Sequence, residues 1–232
     1  MADVWTHFNA SRCEICAFLY CELCGFLLGS QVSINDVEPA MIQALVDVAY
    51  TSEVLITKSN VQSLLSAANL LEILSVRDAC CQFMNKHMDT CNCIGIHCFA
   101  ETHACAQLQH ESKLFALKHF TDVCQQDEFQ SLSQSKLIEF ISSDDLSVPN
   151  EEIVFNAVIR WLSHDAGARS TNFDLIMEHV RLQLLTPYFL HDVVAQQAVI
   201  QTSEKCRVLL EEAKTYHLLQ DRRPQLSSAR SK

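Results

Sequence analysis

The residues best equipped for chemistry here are twelve cysteines and ten histidines in a chain of 232. Cys13, Cys16, Cys21 and Cys24 make two Cys-x2-Cys pairs. Four thiolates grouped in this way can surround a zinc ion tetrahedrally. Only Ala17, Phe18, Leu19 and Tyr20 separate the pairs, and no Gly or Pro helps that connector to turn. The competing reading is a cysteine-rich apolar segment. A second cluster holds Cys91, Cys93, His97, Cys98, His103 and Cys105. Its donor types suit a metal, but their order matches no zinc spacing. On one continuous helix, Cys98 and Cys105 would lie two turns apart on the same face, near Phe99. Buried thiols beside a surface histidine account for this cluster. No cofactor and no metal is expected, with the first four cysteines as the residual zinc candidates.

Covalent catalysis finds no footing. His164-Asp165 and His191-Asp192 are adjacent pairs, and sequence neighbours do not face each other on a helix. The chain holds no Gly-x-Ser-x-Gly elbow, no His-Glu-x-x-His and no phosphate-binding glycine loop. Glu128, Asp144, Asp145, Glu151 and Glu152 read as helix caps and solvated faces. The chain is not expected to be an enzyme.

Composition narrows the class. Apolar residues make up 49% and charged residues 19%, enough to bury a core. Four Gly and four Pro are too few for sandwiches or propellers, and favour helices joined by short loops. A net charge of -11 disfavours nucleic acid as a partner. The basic residues Arg222, Arg223, Arg230 and Lys232 read as a solvated tail. The apolar run Ile15 to Leu28 is shorter than the roughly 18 residues of a membrane span. It also lacks the flanks of a signal peptide. With many unpaired-looking cysteines, a reducing cytoplasm is the expected compartment, with no membrane partner.

The positioning elements follow from apolar spacing. Val32 and Ile34 predict a short strand, and Val54 to Ile56 a second one. Pro39 opens a helix carrying Met41, Leu45, Val48 and Ala49. Ser59 with Gln62, Ser75 with Asp78, and Ser131 with Gln134 predict capped helix starts. Val61, Leu64, Leu65, Ala68 and Leu71 mark one helix face. Val76, Ala79, Cys80 and Phe83 mark the next. A helix is predicted over 107–125, and another carries Leu137, Ile138 and Ile141. Asp144 to Pro149 is a break, and Asn150 caps a helix bearing Phe155, Val158, Trp161 and Leu162. Ala166-Gly167 ends it. Ile176, Val180 and Leu184 predict a helix before Pro187. Cys206, Leu209, Leu210, Ala213 and His217 mark the last.

Several of these segments occur together in a recognisable order. They are Asp36-Val37-Glu38-Pro39, Tyr50-Thr51-Ser52-Glu53-Val54, Ala79-Cys80-Cys81 and Asn92-Cys93-Ile94-Gly95-Ile96. Phe99-Ala100-Glu101, Ser142-Ser143-Asp144-Asp145-Leu146, Val180-Arg181-Leu182 and Leu184-Leu185-Thr186-Pro187 follow, then Glu212 to Leu219. From about Gln31 to Arg230 the chain resembles the kelch-like family, whose members join a BTB domain, a BACK domain and a Kelch propeller. The implied fold is mainly α: a partial α/β BTB remnant over 31–89, then an all-helical BACK bundle over 90–220. Residues 1–30 stay an unassigned cysteine-rich segment, and 221–232 a basic tail.

The resemblance implies an adaptor or scaffold of a cullin-three RING E3 ubiquitin ligase, lacking its substrate-binding propeller. Its alternative is a zinc-binding N-terminal module fused to a helical interaction domain. The implied partners are the cullin scaffold and another BTB domain. The implied cullin-facing residues are Tyr50, Ile96, Phe99, Ala100 and His103, although packing alone would equally explain Ile96 and Phe99. Residues 1–30 do not resemble a BTB front half, so self-dimerisation is disfavoured. The apolar faces from Met41 to Leu71 should then be uncovered, leaving 31–88 marginal on their own. Ser52 and Gln183 stand where the family favours Gly and Pro.

Overall fold

The computed structural model describes residues 37–219, and every regular element among them is a helix. The segments fall into two compact units. One comprises residues 37–88 with Ile96–Glu111, the other Asp89–Gly95 with residues 112–219.

In the first unit, α1 (Pro39–Thr51) opens on the expected proline and buries Leu45, Val48 and Ala49. Helices α2 (Val61–Leu70) and α3 (Leu74–Lys86) pack against each other as a hairpin. α2 contributes Val61, Leu64, Leu65, Ala67 and Ala68 to the core, and α3 contributes Val76, Ala79, Cys80, Phe83 and Met84. These are the faces that the spacing predicts. Burial of each such Leu contributes about 1.5–3 kcal/mol, which outweighs propensity in holding the helices. The apolar face expected to be uncovered is covered. Ile96 and Ala100 of α4 (Cys93–Thr102), with Cys105 and Leu108, join the same core, and Phe99 packs on it.

The strand expected at Val54 to Ile56 is absent. Val54 and Ile56 are buried while Leu55 is 52% exposed, so the burial has the period of a strand. No strand among the described residues pairs with it. Its backbone is met by a side chain instead. Asn60 Nδ2 donates to the Leu55 carbonyl at 2.9 Å, and Thr57 N donates to Asn60 Oδ1 at 2.8 Å. Asn60 therefore occupies the start of α2 where Ser59 and Gln62 were expected to cap. At α3 the flanking residue is Ile73, and no side chain caps it. Asp78 pairs with Arg77 at 2.8 Å rather than with Ser75. The strand near Val32 and Ile34 lies outside the described residues.

Ser52 ends α1 in the left-handed region, at φ 61° and ψ 21°, with its N–H bonded to the Val48 carbonyl. A Cβ disfavours this conformation, and glycine relieves it. Ser52→Gly is expected to stabilise the protein by about 0.5–1 kcal/mol, read as a higher urea midpoint at unchanged slope. A lowered midpoint would show that the serine hydroxyl matters more than the backbone strain.

The second unit is built largely from short pieces. α5 (Ala106–Lys118), whose first six residues belong to the first unit, gives way at His119 to α6 (Phe120–Val123), so the expected single helix over 107–125 is broken. α7 (Asp127–Gln130) follows. α8 (Gln134–Ile141) is capped by Ser133, two residues after the expected Ser131. The break before α9 (Glu151–His164) and its Asn150 cap are as predicted, with Asn150 Oδ1 accepting from Ile153 N at 3.2 Å. Phe155, Val158, Trp161 and Leu162 are all buried.

Glu151 departs from its expected solvated role. It is buried, and its Oε1 accepts from Arg181 N at 2.9 Å. Burial pushes its carboxyl above the usual range, and the Arg181 contacts partly offset this. Gly167 lies inside α10 (Ala166–Arg169), which Asp165 caps. The helix expected across Ile176 to Leu184 is only α11 (Phe173–Met177), followed by a 3-10 turn over Leu182–Leu184. Gln183 in that turn buries its side-chain Oε1 with no hydrogen-bond partner. α12 (Pro187–Phe189) runs into a π turn, Leu190–Val194. α13 (Ala198–Thr202) and α14 (Glu204–Leu218) close the described chain, and α14 buries Cys206, Leu210 and Ala213.

Candidate partner-binding site

α4 carries three of the five residues expected to face a partner, Ile96, Phe99 and Ala100, and His103 follows it directly. The structure divides the set. Ile96 is 8% exposed and Ala100 is fully buried, so both serve the core of the first unit. Phe99 is half-buried, with its ring against that of His103 at 4.4 Å between centroids. His103 Nε2 lies 3.1 Å from Ser66 Oγ, which ties the end of α4 to α2. Ser66 was not singled out in the sequence, because its partner is 37 residues away. Tyr50 on α1 is 77% exposed and takes no part in the core. Thus Tyr50, Phe99 and His103 offer surface, while Ile96 and Ala100 position it.

The start of α4 is held by a contact the sequence did not show. Gly95 N donates to Glu128 Oε2 at 2.9 Å. The carboxylate therefore satisfies one of the free N–H groups of the first turn, where the helix dipole favours negative charge. A Cβ on Gly95 would stand 2.8 Å from Glu128 Oε1. Asp89 Oδ1 also accepts from Cys91 N and Asn92 N, at 2.9 and 3.1 Å.

The cysteine–histidine cluster does not converge. Cys93 and Cys105 are buried, Cys98 is half-buried and Cys91 is exposed. Cys98 and Cys105 do not share a helix face. α4 stops at Thr102, and Ala104 at φ 54° turns the chain before Cys105. Of the cluster's two histidines, His97 is completely buried, with Nδ1 3.0 Å from the Gln109 carbonyl oxygen, and His103 is half-buried. Burial pushes the Cys80 and Cys93 thiols up to about 12, which keeps both protonated and unreactive near neutrality. Among the described residues no group of three or more His, Cys, Asp or Glu could hold a metal ion. Cys13, Cys16, Cys21 and Cys24 lie outside the described residues. Nor is any described helix long and apolar enough to cross a membrane.

Two family models match in succession. Residues 27–88 match the BTB/POZ domain, and residues 93–195 match BACK, described as BTB And C-terminal Kelch. This is the domain order of kelch-like proteins. The chain is a BTB–BACK protein. In this BTB–BACK protein, α1 to α3 fall within the BTB match, and α4 to α12 within the BACK match. α13 and α14 continue the helical fold past the matched range. BTB and BACK domains are adaptor and scaffold modules that act through protein–protein interaction.

Proposed function

We propose that this BTB–BACK protein is an adaptor or scaffold of a cullin-three RING E3 ubiquitin ligase, working in the cytoplasm. The observation that supports this most is the succession of a BTB match and a BACK match in one chain. The surface proposed to meet the cullin comprises Tyr50, Phe99 and His103, with Ile96 and Ala100 beneath it. Tyr50 is the natural anchor. An exposed tyrosine offers a large apolar area and a hydroxyl at low entropy cost, as interface hot spots do. A second BTB domain is the other proposed partner. Catalysis of bond-making is assigned to other ligase subunits and not to this chain.

Titration calorimetry against the purified cullin-three N-terminal domain tests the reading. The wild-type chain is expected to bind, and Tyr50→Ala to weaken binding at least tenfold, about 1.4 kcal/mol. Because Tyr50 lies outside the core, Tyr50→Ala should leave the thermal melt unchanged. Absence of any wild-type complex would reject the cullin role. Binding that survives both Tyr50→Ala and Phe99→Asp in folded protein would reject the surface.

A further inference from the structure

We infer that Ser66 is a positioning residue for the partner surface, holding the His103 imidazole as the Nε2–H tautomer and fixing the Phe99–His103 ring pair. The functional half of this inference rests on the reading of Tyr50, Phe99 and His103 as a docking surface. Ser66 lies half-buried on α2. Its Oγ stands 3.0 Å from the Gln62 carbonyl oxygen and 3.1 Å from His103 Nε2. A serine hydroxyl has one proton to give. If that proton went to His103, the oxygens of Ser66 and Gln62 would meet at 3.0 Å with no proton between them. The hydroxyl therefore donates to Gln62, one turn back along α2, and its oxygen is left to accept. His103 Nε2 then carries the proton that it donates to Ser66.

His103 depends on this hold because its own helix ends just before it. α4 stops at Thr102, and Ala104 turns the chain away at φ 54°. The His103 N–H still donates to the Phe99 carbonyl at 3.1 Å, which sets the two side chains on one face, one turn apart. Their rings meet at 4.4 Å between centroids and 49° between planes. No further turn of α4 follows to restrain the imidazole, and the reach to α2 restrains it instead. Ser66, Phe99 and His103 all belong to the first compact unit. A ring pair already held in one arrangement spares a partner the cost of ordering it on binding.

Nitrogen-15 spectra of the His103 ring test the assignment, taken on the full chain without partner at about pH 8.5, where a free imidazole is neutral. The expected result is a proton on Nε2, protected from exchange and in contact with the Ser66 side chain. Ser66→Ala is expected to lose that protected proton and to shift the Phe99 ring resonances. Alanine suits a helix, so the variant should fold. Ser66→Thr keeps a hydroxyl and is expected to restore both signals, which a purely structural role for the serine would not require. A proton on Nδ1 would overturn the inference, since the hydroxyl would then be donating to the ring. So would a Nε2 proton and Phe99 resonances left unchanged by Ser66→Ala.

Calorimetry against the purified cullin-three N-terminal domain then tests the positioning role. Ser66→Ala is expected to bind about three- to tenfold more weakly than the wild-type chain, and Ser66→Thr to bind as wild type. Equal binding by wild type and Ser66→Ala would overturn the positioning role. A wild-type chain that binds no cullin rejects the ligase reading, and the ring spectra still decide what Ser66 does to His103.

Discussion

Trp161→Ala is expected to lower the unfolding free energy by about 3–5 kcal/mol, the largest loss of any single truncation proposed for this protein. Trp161 lies on α9 and is only 2% exposed. Its indole Nε1 donates to the Leu132 carbonyl at 2.8 Å, fixing the loop between α7 and α8 to α9. The Arg169 guanidinium covers the ring face at 4.1 Å, and its Nη1 donates to the Trp161 carbonyl at 2.6 Å. Truncation removes the ring volume, orphans the Leu132 carbonyl and uncovers Arg169 together. Trp161→Phe keeps most of the volume and isolates the indole hydrogen bond, for an expected loss of about 1–2 kcal/mol. Urea titration followed by far-ultraviolet dichroism measures both. A loss below about 1 kcal/mol for Trp161→Ala would mean that the second unit does not depend on this ring.

The second large effect concerns Gly95 and Glu128, and it reverses sign with background. Glu128→Ala is expected to cost about 1.5–3 kcal/mol, because a charged acceptor is lost from a helix start. In wild-type protein, Gly95→Ala drives the new methyl against the Glu128 carboxylate and breaks the same bond. Ala gains about 1 kcal/mol over Gly in a helix, so the net loss is about 0.5–2 kcal/mol. Once Glu128→Ala has removed the obstacle, Gly95→Ala should stabilise by about 1 kcal/mol. A double-mutant cycle by chemical denaturation reads this directly. Additive effects would show that the carboxylate is not seated on the helix start.

Much of the fold was legible because helix faces are written in local spacing. The apolar stripes of α1, α2, α3, α9 and α14 bury as the 3.6-residue period requires. Caps were read less well. A Ser-x-x-Gln pattern says which residues could cap, but packing decides where the chain leaves the helix. Hence Asn60 and Ser133 stand where Ser59 and Ser131 were expected. The Val54 to Ile56 segment shows the right alternation, yet a strand also needs a neighbour, and spacing within one segment cannot supply it.

The candidate site was legible only in part, because exposure is a long-range property. Ile96, Phe99, Ala100 and His103 share a helical stretch, and nothing local tells which of them the later segments cover. Which histidine of the cluster is buried was not legible for the same reason, since His97's partner Gln109 arrives after a chain reversal. Glu128 was readable as a cap, but not as the cap of a helix 33 residues earlier. The one available hint was Gly95 itself, an unfavourable residue in the first turn of a helix.

The brevity of α6, α7, α10, α11, α12 and α13 has a consequence for how this protein could be dissected. Each has five residues or fewer, far below the length at which a helical peptide holds its shape in water. In α6, α7, α11 and α13 that order is borrowed from the core that their buried side chains enter. Excised peptides spanning them should therefore be random coils, and amide protons there should exchange with solvent deuterium only when the whole assembly opens.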